Sequence, residues 1–155
     1  ETAEKHLRTA ADIYDNRRAQ EVLYKLYADN NNLTLEKHYL TLLADENHLE
    51  SFVLLGNIFS NEKNYNLAYT NYTHFFEGKK RSNAKVDMKK IDEEKLKFNF
   101  GKCCIKLGKF EDAERNLKDN SYLKVSDNVI EVAKLYEEAE QLKIAIQYYK
   151  SALHV

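Results

Sequence analysis

The side chains best suited to covalent chemistry in this sequence are two adjacent cysteines, Cys103 and Cys104. A thiol becomes reactive near neutral pH when a cation or a helix N-terminus favours the thiolate, and no cation at a helix start is evident here. No third cysteine is present to form a disulfide with either one. The sequence therefore predicts two reduced, structural thiols and an intracellular location, in the cytoplasm or the nucleus.

Other catalytic and metal-binding patterns are absent from the sequence. The five histidines lie far apart, without the spacing of metal ligands: His6, His38, His48, His74 and His154. The four glycines are too scattered to form a phosphate-binding loop, and no serine lies in a nucleophile elbow. We therefore expect no catalytic residue, no metal and no cofactor, which predicts that the protein is not an enzyme.

The composition indicates which elements position the remaining side chains. The chain has 155 residues, no proline and four glycines, and 43% of its residues are hydrophobic. Proline and glycine disfavour helix interiors, so their scarcity predicts an all-α fold. The net charge of −1 argues against a general polyanion binder, and no run approaches the roughly 18 apolar residues of a membrane span.

Hydrophobic periodicity and turn signals such as Asn30-Asn31-Asn32 predict nine helices. The predicted ranges are 1–14, 17–29, 33–45, 49–62, 65–77, 90–107, 110–119, 127–140 and 142–154. The basic segment 78–90 reads as an inserted loop, which we expect to be solvated. The alternatives are that it binds an acidic partner, serves as a nuclear address, or carries phosphate on Ser82.

Three segments share one pattern of small and large residues. A small residue (Gly56, Gly101, Ala133) is followed three positions later by a larger one (Phe59, Cys104, Tyr136). An aromatic residue or leucine comes six residues after that (Tyr65, Phe110, Leu142). An alanine follows three residues on (Ala68, Ala113, Ala145), and a large apolar residue four further (Tyr72, Leu117, Tyr149). Small side chains let two helices approach closely and large ones fill the remaining space, so the pattern predicts tandem helix pairs.

This pattern resembles the tetratricopeptide repeat (TPR), a helix–turn–helix unit of about 34 residues. The resemblance implies a right-handed α-solenoid of antiparallel helix pairs. It divides the chain into a half repeat 1–14, a degenerate repeat 15–48, a repeat 49–82, an inserted basic loop 83–93, and repeats 94–125 and 126–155. In the degenerate repeat, Thr34, His38 and Leu42 are assigned to the second helix. Because both ends fall within predicted helices, we expect a fragment of a longer protein.

In a TPR array the first helix of each pair lines a concave groove that holds partner segments. The resemblance therefore implies a scaffold, a subunit of a larger intracellular assembly that binds other proteins or pairs with a second copy. The segment 102–109 and the long insertion are similar to arrays of the anaphase-promoting complex, and transcription-elongation and intraflagellar-transport scaffolds share such units. Six residues are assigned to the groove: Asn57, Asn61, Phe98, Lys102, Lys106 and Lys134.

Two other functions remain open at this point. Asn57, Lys102 and Lys134 occupy matching positions, and such a stripe could hold a carboxylate, as in the TPR proteins that clamp the C-terminus of chaperones. Only Asn57 and, approximately, Lys134 match that clamp, whereas Val53, Lys102 and Ile130 do not. An RNA-binding helical-repeat protein is the less favoured alternative, because the net charge is close to zero.

Overall fold

A computed structural model describes residues 2–81 and 91–155, and this part of the chain is all-α, as predicted. Its helices are α1 (Thr2–Asp12), α2 (Arg17–Asp29), α3 (Leu33–Leu43), α4 (Glu50–Asn61), α5 (Tyr65–Arg81), α6 (Glu93–Lys106), α7 (Phe110–Leu117), α8 (Ser126–Glu138) and α9 (Leu142–Ala152). A short 3-10 helix, Ser121–Lys124, lies between α7 and α8 and was not predicted.

The chain divides into two compact units. The first contains described residues 2–58 and 71–81, and within it α1 packs on α2 and α2 on α3. The second contains residues 59–70 and 91–155, in which α6 packs on α7 and α8, and α8 on α9. The division cuts α4 after Ile58 and α5 after Thr70.

Polar side chains explain why several helices begin where they do. The side-chain oxygen of Asn16 accepts a hydrogen bond from the Ala19 amide, that of Asn32 from Leu35, and that of Asp92 from Lys95. Each satisfies one of the amides that a helix start leaves without an intrahelical partner. These caps place the starts of α2, α3 and α6 at Arg17, Leu33 and Glu93.

Four helix ends share one turn geometry. A residue with positive φ follows α2, α4, α6 and α8, at Asn31, Lys63, Gly108 and Glu140. The amide of the next residue then bonds to the carbonyl five positions earlier: Asn32 to Tyr27, Asn64 to Phe59, Lys109 to Cys104 and Gln141 to Tyr136, at 2.8 to 2.9 Å. The positive-φ residue bonds to the carbonyl three positions earlier, which completes a Schellman motif. The helices therefore alternate between two types, here called first helices (α2, α4, α6, α8) and second helices (α3, α5, α7, α9).

The small residues of two first helices contact a large residue of the following second helix, sixteen positions later. A Cβ atom built on Gly56 would lie 2.5 Å from the Tyr72 ring, and one built on Gly101 would lie 2.7 Å from Cγ of Leu117. The pattern alanines of α5, α7 and α9 are buried as well, at Ala68, Ala113 and Ala145. Close helix contact through small residues therefore recurs along the chain, at the positions that the sequence pattern singled out.

Most residues assigned to packing are buried. Tyr72, Ala133 and Tyr136 are fully enclosed, whereas Phe59 and Tyr149 are half-buried. In the first unit the fully buried side chains include Leu23, Tyr39, Leu40, Leu43, Tyr72 and Phe75. In the second unit they include Leu117, Val132 and Tyr136, together with the thiol of Cys104.

The structure corrects the predicted assignment of the degenerate repeat. The Schellman turn at Tyr27–Asn32 places the second-helix positions at Leu33, Glu36 and Leu40. Leu40 is fully buried whereas Leu42 is 40% exposed, so the assignment of Thr34, His38 and Leu42 was displaced by one to two residues. The asparagine turn, rather than the apolar pattern of α3, sets this register.

The predicted basic loop also began too early. Lys79, Lys80 and Arg81 belong to α5, which continues to Arg81 instead of ending at residue 77. Basic residues in a last helical turn interact favourably with the helix dipole, which favours this extension. Glu93, assigned to the loop, is the first residue of α6. The remaining loop residues, including Ser82, lie outside the described residues apart from Ile91 and Asp92.

Candidate protein-binding surface on helices α6 and α8

Helices α6 and α8 carry four of the six residues assigned to partner binding. Phe98, Lys102 and Lys106 lie on α6, and Lys134 lies on α8. The two helices pack against each other within the second unit, so these residues share one local surface. We call the charged residues at this packing edge the α6/α8 ladder: Lys102, Lys106, Glu131, Glu138 and Lys134.

Two ion pairs connect the helices in the ladder. Nζ of Lys102 lies 3.0 Å from Oε1 of Glu131, and Nζ of Lys106 lies 3.0 Å from Oε2 of Glu138. Lys102 and Lys106 are one helical turn apart, while Glu131 and Glu138 are two turns apart. The ladder therefore presents alternating charges, and two of the predicted cations are already neutralised by carboxylates of the same chain.

Two stacked aromatic rings, Phe98 and Tyr122, lie next to Lys102 of the ladder. Nζ of Lys102 lies 4.6 Å from the centroid of the Phe98 ring, a cation–π contact. The Phe98 ring stacks on Tyr122, with 5.6 Å between centroids and 19° between planes. Phe98 is only 4% exposed, so it supports Lys102 and is not itself presented to a partner.

The stack ends in a hydrogen bond to the cap of α6. The Tyr122 hydroxyl donates to Oδ2 of Asp92 at 2.7 Å, and Asp92 caps the helix. This hydrogen bond lowers the pKa of Asp92 and raises the pKa of Tyr122 from their ordinary values. The Lys102 ammonium is thus held by a continuous network that runs from the start of α6, through two rings, to Glu131 on α8.

Lys134 differs from the other two lysines of the surface. It is exposed on α8, and no carboxylate of the described residues lies within ion-pair distance of it. A free ammonium offers three hydrogen-bond donors, and the paired lysines keep donors that Glu131 and Glu138 do not use. The ammonium groups of this surface can therefore donate hydrogen bonds to carbonyl or carboxylate oxygens.

The two asparagines assigned to the groove lie on α4. In the first unit, Oδ1 of Asn57 accepts a hydrogen bond of 2.7 Å from the Tyr72 hydroxyl, which fixes this ring against Gly56. Asn57 therefore has a packing role within the described structure. Asn61 is the last residue of α4, lies in the second unit and is exposed.

A recurring contact that the sequence did not reveal is the hydrogen bond from a tyrosine hydroxyl to a carboxylate. In the first unit Tyr27 donates to Glu4 at 2.6 Å and Tyr39 to Asp12 at 3.1 Å. In the second unit further tyrosines donate to carboxylates in the same way: Tyr69 to Asp112, Tyr122 to Asp92, Tyr136 and Tyr148 to Glu114, and Tyr149 to Glu137. Most of these bonds join different helices, so each gives a buried or half-buried ring a fixed polar partner.

The two cysteines are buried on the packed side of α6. The thiol of Cys103 donates a hydrogen bond of 3.2 Å to the carbonyl oxygen of Tyr65, and Cys104 is fully enclosed. Burial raises the pKa of Cys103 to about 11 and that of Cys104 to about 12. Both side chains are therefore neutral packing groups near neutral pH.

The described residues carry neither a metal-ligand cluster nor a membrane-spanning helix. No group of three His, Cys, Asp or Glu side chains in 2–81 and 91–155 is arranged to hold a metal ion. None of the described helices combines the length and the apolar character needed to cross a bilayer.

Comparison with known proteins identifies no relative: no family model, no curated protein and no solved structure matches this chain.

Proposed function

We propose that this chain is a scaffold of tandem helix pairs, a TPR-like right-handed α-solenoid, that binds segments of other proteins. The observation that carries the proposal is the repeated local structure. The same Schellman turn closes four successive first helices, and the same sixteen-residue spacing joins Gly56 to Tyr72 and Gly101 to Leu117. Helix pairs of this kind cannot bury their apolar faces alone, and stacked arrays present extended surfaces to partners.

The α6/α8 ladder is the surface that we assign to partner binding. Its lysines and glutamates alternate, and its central ammonium, Lys102, is fixed by Glu131 and Phe98 before any partner arrives. Preorganised charges cost little ordering entropy on binding and select partners by complementary charge. We therefore expect a protein segment that carries both acidic and basic residues, with an acidic group facing Lys134.

The same geometry disfavours a clamp for a C-terminal carboxylate. Such a clamp needs cations that are free to converge on one anion, whereas Lys102 and Lys106 each contact a carboxylate of α8 at 3.0 Å. RNA binding is disfavoured because the net charge of −1 provides little overall attraction for phosphates.

A charge-swap variant tests the assigned surface. Lys102→Glu combined with Glu131→Lys keeps an ion pair between α6 and α8 but reverses its direction on the surface. The swapped pair replaces the original one, but Lys102→Glu also loses the cation–π contact with Phe98, which contributes about 0.5–1 kcal/mol. We therefore expect the melting temperature to fall by no more than about 4 °C. Quantitative affinity capture of partners from cells, followed by titration with the purified partner, should show at least a tenfold loss of affinity.

The matched control is Lys118→Glu, which changes an exposed lysine outside the ladder. It should leave partner capture unchanged. If the wild type and the charge-swap variant captured partners equally, the ladder would not be part of the binding surface.

The proposed architecture has its own test. A compact protein of 155 residues has a radius of gyration of about 15 Å, whereas a solenoid is more extended. Small-angle X-ray scattering on the monomer should therefore give a value clearly above about 15 Å, and a value at or below it would contradict the solenoid.

A further inference from the structure

The 3-10 helix Ser121–Lys124 is held against α6 and α7 by the residue that precedes it, Asn120. The Asn120 side chain is polar, yet the residue is only 5% exposed. Its Nδ2 group donates to the carbonyl oxygen of Glu94 on α6 at 2.9 Å and to that of Asn116 on α7 at 3.3 Å, while its Oδ1 atom accepts from the Tyr122 amide at 3.0 Å. One side chain therefore connects α6, α7 and the 3-10 helix.

Two further hydrogen bonds fix the backbone of this short helix. The Ser121 amide donates to Oε2 of Glu94 at 2.8 Å, and Nδ2 of Asn128 on α8 donates to the carbonyl oxygen of Tyr122 at 2.8 Å. Both main-chain groups of Tyr122 thus bond to asparagine side chains, one on either side of it in the chain. Because a 3-10 helix of four residues has few hydrogen bonds of its own, these contacts determine where Tyr122 lies.

The Tyr122 side chain extends this fixed position to the ladder. Its hydroxyl donates to Oδ2 of Asp92, and its ring stacks on Phe98 with 5.6 Å between centroids. The Phe98 ring in turn contacts Lys102, whose Nζ atom is 4.6 Å from the ring centroid. A cation–π contact requires the ammonium to lie over the face of the ring, so the orientation of the Phe98 ring sets the position of Lys102.

We propose that Tyr122 is the positioning residue of the α6/α8 ladder. Through ring stacking it fixes Phe98, and the Phe98 ring holds the Lys102 ammonium beside Glu131. The inference rests on the proposed function of the ladder and adds a cause for its selectivity. A fixed ammonium suits only partner oxygens at a matching position, whereas a mobile lysine can follow an acidic group anywhere within its reach.

NMR spectroscopy of the lysine side chains tests this role on the protein alone. Protons held over an aromatic ring resonate upfield, so the Hε protons of Lys102 should be shifted upfield and show a nuclear Overhauser effect to the Phe98 ring. Lys102→Arg identifies the Lys102 signal by its loss. In Tyr122→Ala, which removes the stacked ring, the upfield shift should fall by at least half and the Overhauser effect should weaken. Tyr122→Leu, which fills more of the space without a ring, should show the same loss.

Tyr122→Phe separates the ring from the hydroxyl. It keeps the stack on Phe98 and removes only the hydrogen bond to Asp92. Because we assign the role to ring stacking, this variant should keep most of the upfield shift of Lys102. Tyr122 is half-buried and lies outside the α-helices, so circular dichroism should show unchanged helix content in all three variants.

Two other lysines of the second unit distinguish positioning from a general loosening of the structure. Nζ of Lys106 lies 5.9 Å from the centroid of the Tyr65 ring, and Nζ of Lys109 lies 4.8 Å from that of the Tyr69 ring. Their Hε signals therefore report on different rings in the same spectrum. Both signals should stay unchanged in Tyr122→Ala.

Tyr149→Ala is the matched control for the removal of a tyrosine. It deletes a hydrogen bond of the same kind, from the Tyr149 hydroxyl to Glu137, and should leave the Lys102 signal unchanged.

Four results would overturn the proposal. They are an unchanged Lys102 signal in Tyr122→Ala and Tyr122→Leu, an equal loss in Tyr122→Phe, an equal loss in Tyr149→Ala, or equal changes at all three lysines. The measurement involves no partner, so its failure is distinguishable from failure of the charge-swap experiment, which tests the proposed function itself.

Discussion

The close contact between Gly56 and Tyr72 permits a quantitative test of the repeat packing. In Gly56→Ala the new Cβ would lie 2.5 Å from Cε1 and 2.7 Å from Cδ1 of the Tyr72 ring. The ring cannot easily withdraw, because it is fully buried and its hydroxyl is bonded to Asn57 at 2.7 Å. Overpacking of this kind costs roughly 1–3 kcal/mol, and a pinned ring places the cost near the upper end.

Helix propensity acts in the opposite direction. Replacing a glycine inside a helix by alanine stabilises the helix by about 1 kcal/mol. The net expectation is therefore a loss of about 2 kcal/mol in the free energy of unfolding, which lowers the melting temperature by roughly 4–8 °C for a chain of this size. Urea titration followed by circular dichroism at 222 nm measures this difference, with the thermal melt as a second readout.

A double-mutant cycle isolates the contact itself. In a Tyr72→Ala background the obstructing ring is gone, so Gly56→Ala should now stabilise the protein by about 1 kcal/mol, a reversal of sign. Tyr72→Ala alone should cost roughly 3–5 kcal/mol, so the cycle is measured with a stabilising osmolyte present. Tyr72→Phe, which only frees the ring from Asn57, is the milder background and should reduce the penalty without reversing it. If Gly56→Ala were neutral in the wild type, or equally harmful in all three backgrounds, the packing argument would be refuted.

Two further predictions concern buried side chains. Ala68→Leu and Ala145→Leu should each lower the free energy of unfolding by roughly 1–3 kcal/mol, because the larger side chain overpacks a buried site. The control Ala3→Leu, on the exposed side of α1, should change it by less than about 0.5 kcal/mol. An unchanged melting temperature for both buried variants would contradict the packing. For the thiols, we expect negligible labelling of native protein by Ellman's reagent at pH 8 and rapid labelling in urea. Because burial raises the pKa of Cys103 to about 11, against about 8.5 in an unfolded chain, its contribution to stability is fully present below pH 8.5 and is lost as the pH rises towards 11. Denaturant titrations at several pH values measure the free energy of unfolding over this interval. For Cys103→Ala this free energy should fall less steeply with pH than for the wild type. Identical slopes would exclude ionisation of the Cys103 thiol as a cause of the fall.

The sequence predicted the helices well because their boundaries are set locally. The range of α2 matched at both ends, since Asn16 and the asparagine turn mark its start and its finish. The ends of α1 and α9 were placed two residues too late, and α5 was longer than predicted by the four residues that end at Arg81. Those ends depend on side-chain contacts and on the helix dipole, which apolar periodicity does not report.

The surface was harder to predict than the fold. Spacing alone placed Lys102 and Lys106 at exposed positions of a first helix, but it could not show that Glu131 and Glu138 on another helix would pair with them. Phe98 was assigned to the groove, yet the ring of Tyr122 covers it, and Tyr122 belongs to the 3-10 helix that the sequence did not predict. Contacts between side chains far apart in sequence decide both outcomes.

The shared Schellman turns have a consequence for how this chain tolerates insertions. Their first carbonyls, at Tyr27, Phe59, Cys104 and Tyr136, are separated by 32, 45 and 32 residues. The additional residues of the middle interval fall outside every turn, in the longer α5 and in the segment that leads to α6. Each turn is closed by bonds that reach no further than five residues, so the length between turns can change without disturbing any of them. A change of length between two helix pairs would therefore leave the turn geometry within each pair unchanged.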